Sequence, residues 1–272
     1  QRARSRKLGR ERLGYVRGSL QVLVDRLVED LESRGVELRL GTTIEGLLVE
    51  GGRALGVVAG GQTMRSDRVV ATVPTKVLAR LVQPVSPSYA GELSQIEYMA
   101  AVCTVLSLRE PLSAVYWTNV TDPGYDFGGV IEQTNLAGPE HYGGRHLVYL
   151  SRYLATDDPL WSMPDDALLV RQLGQLGRVA GRDVETLVED HWLFRARFAA
   201  TLTDLGFHRR IPRMQSPIAN LYVAAMCHIY PDERSVNNSI RVAAELVRAL
   251  GFPEAADAVP RAALAPASKA TS

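Results

Sequence analysis

The segment NLYVAAMCHIYPDERSVNNSIRVAAELVRALG, residues 220–251, restricts the possible folds more than any other part of the sequence. Its pattern predicts an apolar strand, a polar turn and a helix from about Ser239 to Leu250 with one apolar face. Asn237, Asn238 and Ser239 are the candidate caps, and the first turn of such a helix offers unpaired backbone N–H groups and a partial positive charge. Two interpretations stay open: a ligand site at the end of a sheet, or a well-capped surface helix.

The N-terminal third predicts a helix, a strand and a small meander. Apolar residues recur at helical spacing from Leu20 to Leu31. The alternating segment VELRL, residues 36–40, predicts a strand, and two Gly-Gly pairs further along predict the turns of a meander. A buried strand at 69–73 is expected next, ending at Pro74 because proline cannot continue a ladder.

The central part predicts an antiparallel sheet with helices, which makes the fold class α/β (α+β). The expected strands cover 98–108, 113–120, 128–135, 145–153 and about 191–199. A helix is expected at about 164–178 and a short one near 183–189. No repeat and no low-complexity linker separates these elements, so any second domain is entered and left by continuous structure.

Composition excludes several function classes. The net charge of +1 gives no general attraction to nucleic acid, and the basic segment 1–17 is interpreted as a solvated helix rather than a nucleic-acid arm. No apolar run approaches the roughly 20 residues of a membrane span, and no signal peptide opens the chain, so we expect no stable membrane insertion and a cytoplasmic location. The histidines lack HxxxH or HExxH spacing, so no metal site is predicted. Cys103 and Cys227 are expected to be reduced core residues.

Several segments together resemble the FAD-dependent amine oxidase and protoporphyrinogen oxidase-like flavoprotein superfamily. The residues LGYVRGSLQVLVDRLVEDLESRGVELRLGTTIEGLLVEGGRALGVVAGGQTMRSDRVVATVP look like its middle FAD-domain segment. GGVIEQTN and GGRHLVYLSRYL look like its central substrate-domain strands, and the segment 220–251 looks like its C-terminal flavin-binding motif. The resemblance covers most of residues 14–251 in the expected order.

The resemblance implies an incomplete FAD-binding domain in residues 1–80 and 216–260. A substrate-binding domain with antiparallel strands and helices would occupy 81–215, and 261–272 would be a disordered tail. The superfamily opens with a GxGxxG turn that holds the FAD pyrophosphate, and this sequence has no GxGxxG. We therefore expect a partial chain whose N-terminal dinucleotide-binding segment is missing.

The resemblance also implies roles for individual residues. The backbone near Ile44 would face the adenine of FAD. Ala225, Met226 and Arg234 would line the ribityl and phosphate path, although many relatives carry glycine and an acidic residue at the first two positions. Val236, Asn237 and Asn238 would present backbone N–H groups to the flavin pyrimidine edge. Glu132, Arg152 and Tyr230 are the polar candidates for binding a small-molecule substrate.

The leading function is the FAD-dependent oxidation of a small amine or a CH–CH unit by hydride transfer to flavin N5, with no catalytic side chain assigned. One alternative is an enzyme resembling flavin-dependent sugar-nucleotide mutases, which would need an arginine-lined pocket. Four arginines are candidates for such a pocket: Arg145, Arg152, Arg195 and Arg197. Another is a truncated or accessory chain that cannot bind FAD alone. For Glu132 a solvent-facing strand carboxylate, and for His228 a hydrogen-bonded structural imidazole, are the competing interpretations.

Overall fold

A computed structural model describes residues 14–257. Within this part the chain forms two compact units. The first unit contains residues 39–97 and the residues from 200 onward, and the second contains the residues up to 38 together with 98–199. The domain boundaries expected from the sequence stay a prediction. The expected disordered tail, 261–272, and most of the basic N-terminal segment lie outside the described residues.

The helices and strands alternate irregularly along the chain. The α-helices are α1 (Gln21–Ser33), α2 (Thr75–Val82), α3 (Pro87–Ser94), α4 (Thr134–Ala137), α5 (Pro159–Ser162), α6 (Asp165–Ala180), α7 (Val236–Ala249) and α8 (Pro253–Asp257). The strands are β1 (Ile44–Glu50), β2 (Arg53–Ala59), β3 (Gln62–Arg65), β4 (Val69–Ala71), β5 (Tyr98–Leu108), β6 (Trp117–Asn119), β7 (Gly129–Glu132), β8 (His146–Leu154), β9 (Val188–Thr201) and β10 (Leu221–Val223). This mixture confirms the predicted α/β (α+β) class.

The first unit opens with the predicted meander, in which β1, β2 and β3 pair in order. Both connecting turns are Gly-Gly pairs with positive φ, the geometry that type I′ hairpin turns need. Gly56 in β2 has φ +145°, and a Cβ added there would lie 1.9 Å from the backbone oxygen of Met64. Only glycine fits this close approach of β2 to β3.

A parallel pair of short strands, β4 and β10, follows the meander, with Leu221 opposite Val69. β4 ends at Ala71, short of the predicted Val73, and Pro74 occupies the N-cap position of α2. Helix α3 has Pro87 in its first turn. The sequence analysis missed both helices. Each helix has only eight residues, which is too short for a 3.6-residue period to be recognised in the sequence.

The second unit is built on a five-stranded sheet with the order β6-β7-β8-β5-β9. β8 pairs antiparallel with Ala100–Leu108 of β5, for example Cys103 opposite Ser151. Helix α6 covers this sheet, and its Leu173 and Leu176 share a buried cluster with Leu106 of β5. The core of this unit therefore lies between α6 and the sheet.

One predicted strand is wrong, and another is shorter than predicted. Residues 36–40 form no strand, and no described strand pairs with them. The predicted strand 113–120 is reduced to Trp117–Asn119. At its start the Ser113 hydroxyl accepts the Val115 N–H at 2.9 Å, and this local turn competes with the ladder. The alternation of apolar and polar residues shows neither the missing strand partner of residues 36–40 nor the local turn at Ser113.

The cysteines are free, as expected, although only Cys227 is buried and Cys103 is half-buried.

Candidate functional site

The candidate site lies in the first unit, where the parallel strands β4 and β10 end. Beyond the paired residues, the Ala224 N–H donates to the Ala71 carbonyl at 3.0 Å. The chain then forms a 3-10 helix, Met226–Ile229, and a polar turn before α7 begins. The carboxyl ends of parallel strands are where ligands of open α/β sheets bind. Segment 220–251 forms this end of the sheet, and its interpretation as a ligand site stays a prediction.

A cavity of about 400 Å³ lies at this edge. Its described lining comes from the ends of both strands, the polar turn and α7: Thr72, Ala224, Ala225, Met226, Ile229, Arg234, Ser239, Val242, Ala243 and Leu246. The lining is mostly small and apolar, and Arg234 is its one cation among the described residues. None of these lining residues is acidic. The cavity therefore suits a mostly apolar group with a polar part that Arg234 can contact.

The N-terminus of α7 is fixed by its own cap. Ser235 has extended backbone angles, and its hydroxyl accepts the Asn238 backbone N–H at 3.3 Å. The Asn238 side-chain amide donates to the Glu233 carbonyl at 2.7 Å. The Asn238 N–H is thus used by the cap, while Val236 and Asn237 stand in the first turn, where N–H groups have no intrahelical acceptor. The helix dipole adds a partial positive charge at the same place.

Arg241 holds the polar turn against α7. Its Nη2 donates to the Ile229 carbonyl at 3.3 Å and lies 3.4 Å from the Asp232 carboxylate, while Nη1 donates to Glu245 at 2.8 Å. The side chains of Arg241 and Asp232 are 14% and 10% exposed. A largely buried ion pair of this kind makes the turn depend on one guanidinium group. The sequence analysis missed this residue, and the i,i+4 spacing of Arg241 and Glu245 was the available signal.

His228 joins the 3-10 helix to a neighbouring loop. Its Nδ1 accepts the Ala225 N–H at 3.0 Å, and its Nε2 lies 3.0 Å from the Pro212 carbonyl. A neutral imidazole with the proton on Nε2 satisfies both contacts. Burial lowers the pKa of His228, although its hydrogen bonds to the Ala225 and Pro212 backbones oppose this shift. The hydrogen-bonded structural interpretation of His228 therefore agrees with its surroundings.

The residues expected to bind FAD divide into three groups. Ala225, Met226 and Arg234 line the cavity. Val236, Asn237 and Asn238 form the adjoining cap of α7 without lining the cavity. Ile44 is exposed at the first position of β1, opposite Ala59, and is not part of the lining.

The three substrate candidates have different surroundings. Glu132 is buried, not solvent-facing, and its carboxylate accepts both the backbone N–H and the hydroxyl of Ser113. The Tyr230 ring packs 5.2 Å from the Phe207 ring, and the Tyr230–Pro231 bond is cis. Arg152 lines a large cavity.

That second cavity, of about 680 Å³, lies in the second unit on β5, β7 and β8. Aromatic side chains from this unit line it: Trp117, Tyr125, Phe127 and Tyr153. Arg152 and Asp122 are the charged residues among the described lining. Arg152 is held by the Tyr125 carbonyl, 2.7 Å from its Nη1, and lies 3.9 Å from Asp158. The cavity therefore combines an apolar floor with one anchored guanidinium.

None of the helices within residues 14–257 is long and apolar enough to cross a membrane. The same residues contain no group of three or more His, Cys, Asp or Glu side chains arranged to hold a metal ion.

Comparison with known families gives a match to flavin containing amine oxidoreductases over residues 2–245. The chain belongs to this family. A curated relative, coproporphyrinogen III oxidase from Propionibacterium freudenreichii subsp. freudenreichii, is 32% identical over 163 residues, which are 57% of this chain and 29% of the relative. The chain thus spans less than a third of that relative.

Solved structures share the fold at lower identity. A structure from Exiguobacterium sp. 255-15, proposed to be a protoporphyrinogen oxidase, has a TM-score of 0.62 at 20% identity, and the match covers 77% of this chain and 46% of that one. Reduced UDP-galactopyranose mutase has a TM-score of 0.68 at 13% identity, over 96% of this chain and 59% of its own. An oxidoreductase from Methanosarcina mazei has a TM-score of 0.54 at 19% identity, and the match covers 78% of this chain and 50% of that one.

Proposed function

We propose that this chain is part of an FAD-dependent oxidoreductase that oxidises a small amine or a CH–CH unit by hydride transfer to flavin N5. The cavity at the ends of β4 and β10, in a chain of the flavin containing amine oxidoreductase family, is the observation that carries the proposal. Bound FAD would supply the redox chemistry, and the protein would orient the substrate and stabilise charge.

The residues around the cavity suit the ring end of a flavin. Ala224, Ala225 and Ala243 have small side chains, so a planar ring can approach the backbone closely. Negative charge that develops on the ring would meet the first turn of α7 and the guanidinium of Arg234. Because Ser235 already binds the Asn238 N–H, the proposed contacts at the pyrimidine edge reduce to the N–H groups of Val236 and Asn237.

Other parts of the proposal rest on the family resemblance. The backbone near Ile44 would contact the adenine, and a segment with the GxGxxG turn, absent from these 272 residues, would supply the pyrophosphate site. The aromatic cavity of the second unit is the proposed substrate site, with Arg152 as its polar anchor. One relative is named for coproporphyrinogen III, so that class of compound is the first to test as substrate.

The test fills the flavin cavity without disturbing the core. Ala243 lines the cavity but is exposed, so Ala243→Phe adds a ring inside it. Ala249 on the same helix is also exposed and lies outside the cavity lining, so Ala249→Phe is the control. FAD is titrated into the purified chain and bound flavin is measured by visible absorbance after gel filtration. We expect flavin retention in the wild type and in Ala249→Phe, and at least about tenfold weaker binding in Ala243→Phe.

Two results would contradict the proposal. One is binding that Ala243→Phe leaves unchanged, since the flavin would then lie elsewhere. The other is no binding by any variant, which would contradict FAD binding by this chain alone and favours the truncated or accessory chain.

The sugar-nucleotide alternative has less support. Arg145 pairs with Asp190 at 2.7 Å, and Arg195 donates to the carbonyls of Trp161 and Met163. The Arg197 guanidinium stacks 5.8 Å from the Trp161 ring. Of the four arginines considered, only Arg152 lines the large cavity, so no arginine-rich diphosphate pocket forms there from this set.

A further inference from the structure

A third cavity, of about 600 Å³, lies in the first unit and has no role in the proposed function. One wall comes from α3 and Gln95, and the other from the loop 209–217. Three arginines and one carboxylate are the charged residues of its described lining: Arg209, Arg210, Arg213 and Glu92. The volume lies within the range of small-molecule sites, so the cavity holds more than a bare ion.

The wall that carries the arginines is fixed by hydrogen bonds to β10. The Val223 N–H donates to the Met214 carbonyl at 2.7 Å, and the Ser216 N–H donates to the Leu221 carbonyl at 3.1 Å. Just before these residues, the Pro212 carbonyl is held by the imidazole of His228. The loop backbone is therefore preorganised, and a ligand that binds there does not need to order it.

The three arginines of this cavity differ in whether they form an ion pair. Arg210 pairs with Asp204, which is not part of the described lining, and lies 5.8 Å from the Phe207 ring. Arg209 and Arg213 are exposed and form no ion pair within residues 14–257. Two unpaired guanidinium groups on one cavity leave its local charge positive, because Glu92 offsets only one of them.

Tyr89 closes the opposite wall and adds no charge. Burial, followed by the negative charge of Glu92, raises the pKa of Tyr89 to about 12. Its hydroxyl is buried and has no hydrogen-bond partner among the described residues. The charge balance of the cavity is therefore set by the arginines and Glu92 alone.

We propose that this cavity binds a small organic anion, with Arg209 and Arg213 contacting its phosphate or carboxylate group. A guanidinium presents a planar fork of N–H donors that fits either group with two parallel hydrogen bonds. Glu92 would accept a hydroxyl or amine hydrogen from the body of the same ligand. The site is separate from the flavin cavity, since the two described linings share no residue.

Isothermal titration calorimetry at low ionic strength tests the proposal, with sodium pyrophosphate in one arm and sodium citrate in the other. We expect saturable binding that Arg213→Gln weakens about tenfold and that Arg209→Gln/Arg213→Gln abolishes. Arg248→Gln is the control, because Arg248 is also partly exposed, pairs with Asp257 at 2.8 Å and lies outside the cavity lining.

The two arms also identify the ligand group. Binding of pyrophosphate alone assigns a phosphate, binding of citrate alone assigns a carboxylate, and either supports the site. The proposal is overturned if neither probe gives a saturable heat. It is equally overturned if Arg248→Gln weakens binding as much as Arg213→Gln does, since the attraction would then be non-specific.

Discussion

Helices α1 and α7 have the same kind of apolar periodicity but different surroundings. In α7, Val242, Ala244 and Leu246 are buried. In α1, by contrast, no residue is buried, and Leu23 and Leu27 are 48% and 57% exposed. Periodicity determines which side chains share a face of a helix, and a neighbouring element decides whether that face is buried.

The caps and ion pairs of the two helices also differ in how far they are buried. α7 begins at a serine cap and is tied to its turn by the buried pair of Arg241 and Asp232. In α1 the N-cap residue is Leu20, which has no side chain that can cap the helix, and the pair of Arg34 and Asp30 at the helix end is exposed. The same chemical groups therefore contribute differently to stability, and three experiments sharpen this comparison.

The largest effect is expected for Arg241→Met. The substitution leaves the Asp232 carboxylate largely buried without its cation, which costs about 3 kcal/mol of unfolding free energy. Urea unfolding followed by circular dichroism measures it. Arg34→Met is the matched control, and we expect no measurable change there because both partners of its ion pair are solvated. Equal losses in the two variants would show that burial of the ion pair does not matter.

Leu246→Ala is expected to cost somewhat less, about 2.5 kcal/mol, because it opens a cavity beneath α7. The same substitution on α1, Leu27→Ala, should change stability by no more than about 0.5 kcal/mol, because Leu27 is already exposed. Thermal or urea unfolding of both variants measures the difference. A large loss for Leu27→Ala would mean that the apolar face of α1 is covered in solution.

Local patterns were enough to predict much of the fold. The strand 98–108 is observed with the predicted bounds, and the glycine turns of the meander are observed as well. The strand predicted at 36–40 is not observed, because a strand also needs a partner for its backbone hydrogen bonds, and alternation does not supply one. The start of α7 was predicted three residues late, because the cap is Ser235 and none of the candidates Asn237, Asn238 and Ser239.

Some residues of the candidate site were predictable from the family resemblance and not from local patterns. Ala225, Met226 and Arg234 were named by family resemblance, and they line one cavity. Arg241 and Asp232 are nine residues apart and meet only because the polar turn folds back on α7. Tyr89 and Arg213 are distant in sequence, and no periodicity relates them, so only the tertiary fold reveals that they line one cavity.

The smallest effect in this comparison is a pH dependence from His228. Burial lowers the pKa of His228 below its ordinary value of 6.5, so the folded chain keeps the imidazole neutral where the unfolded chain is protonated. The contribution of His228 to the free energy of unfolding is therefore fully present above pH 6.5. It is lost as the pH falls below 6.5 toward the folded-state pKa. His228→Asn removes this proton uptake, so its stability should depend less on pH than that of the wild type. His208→Asn is the control, because His208 is exposed and the slope due to His228 should persist. Urea unfolding across this pH range measures both slopes, and an unchanged slope in His228→Asn would mean that another group carries the pH dependence.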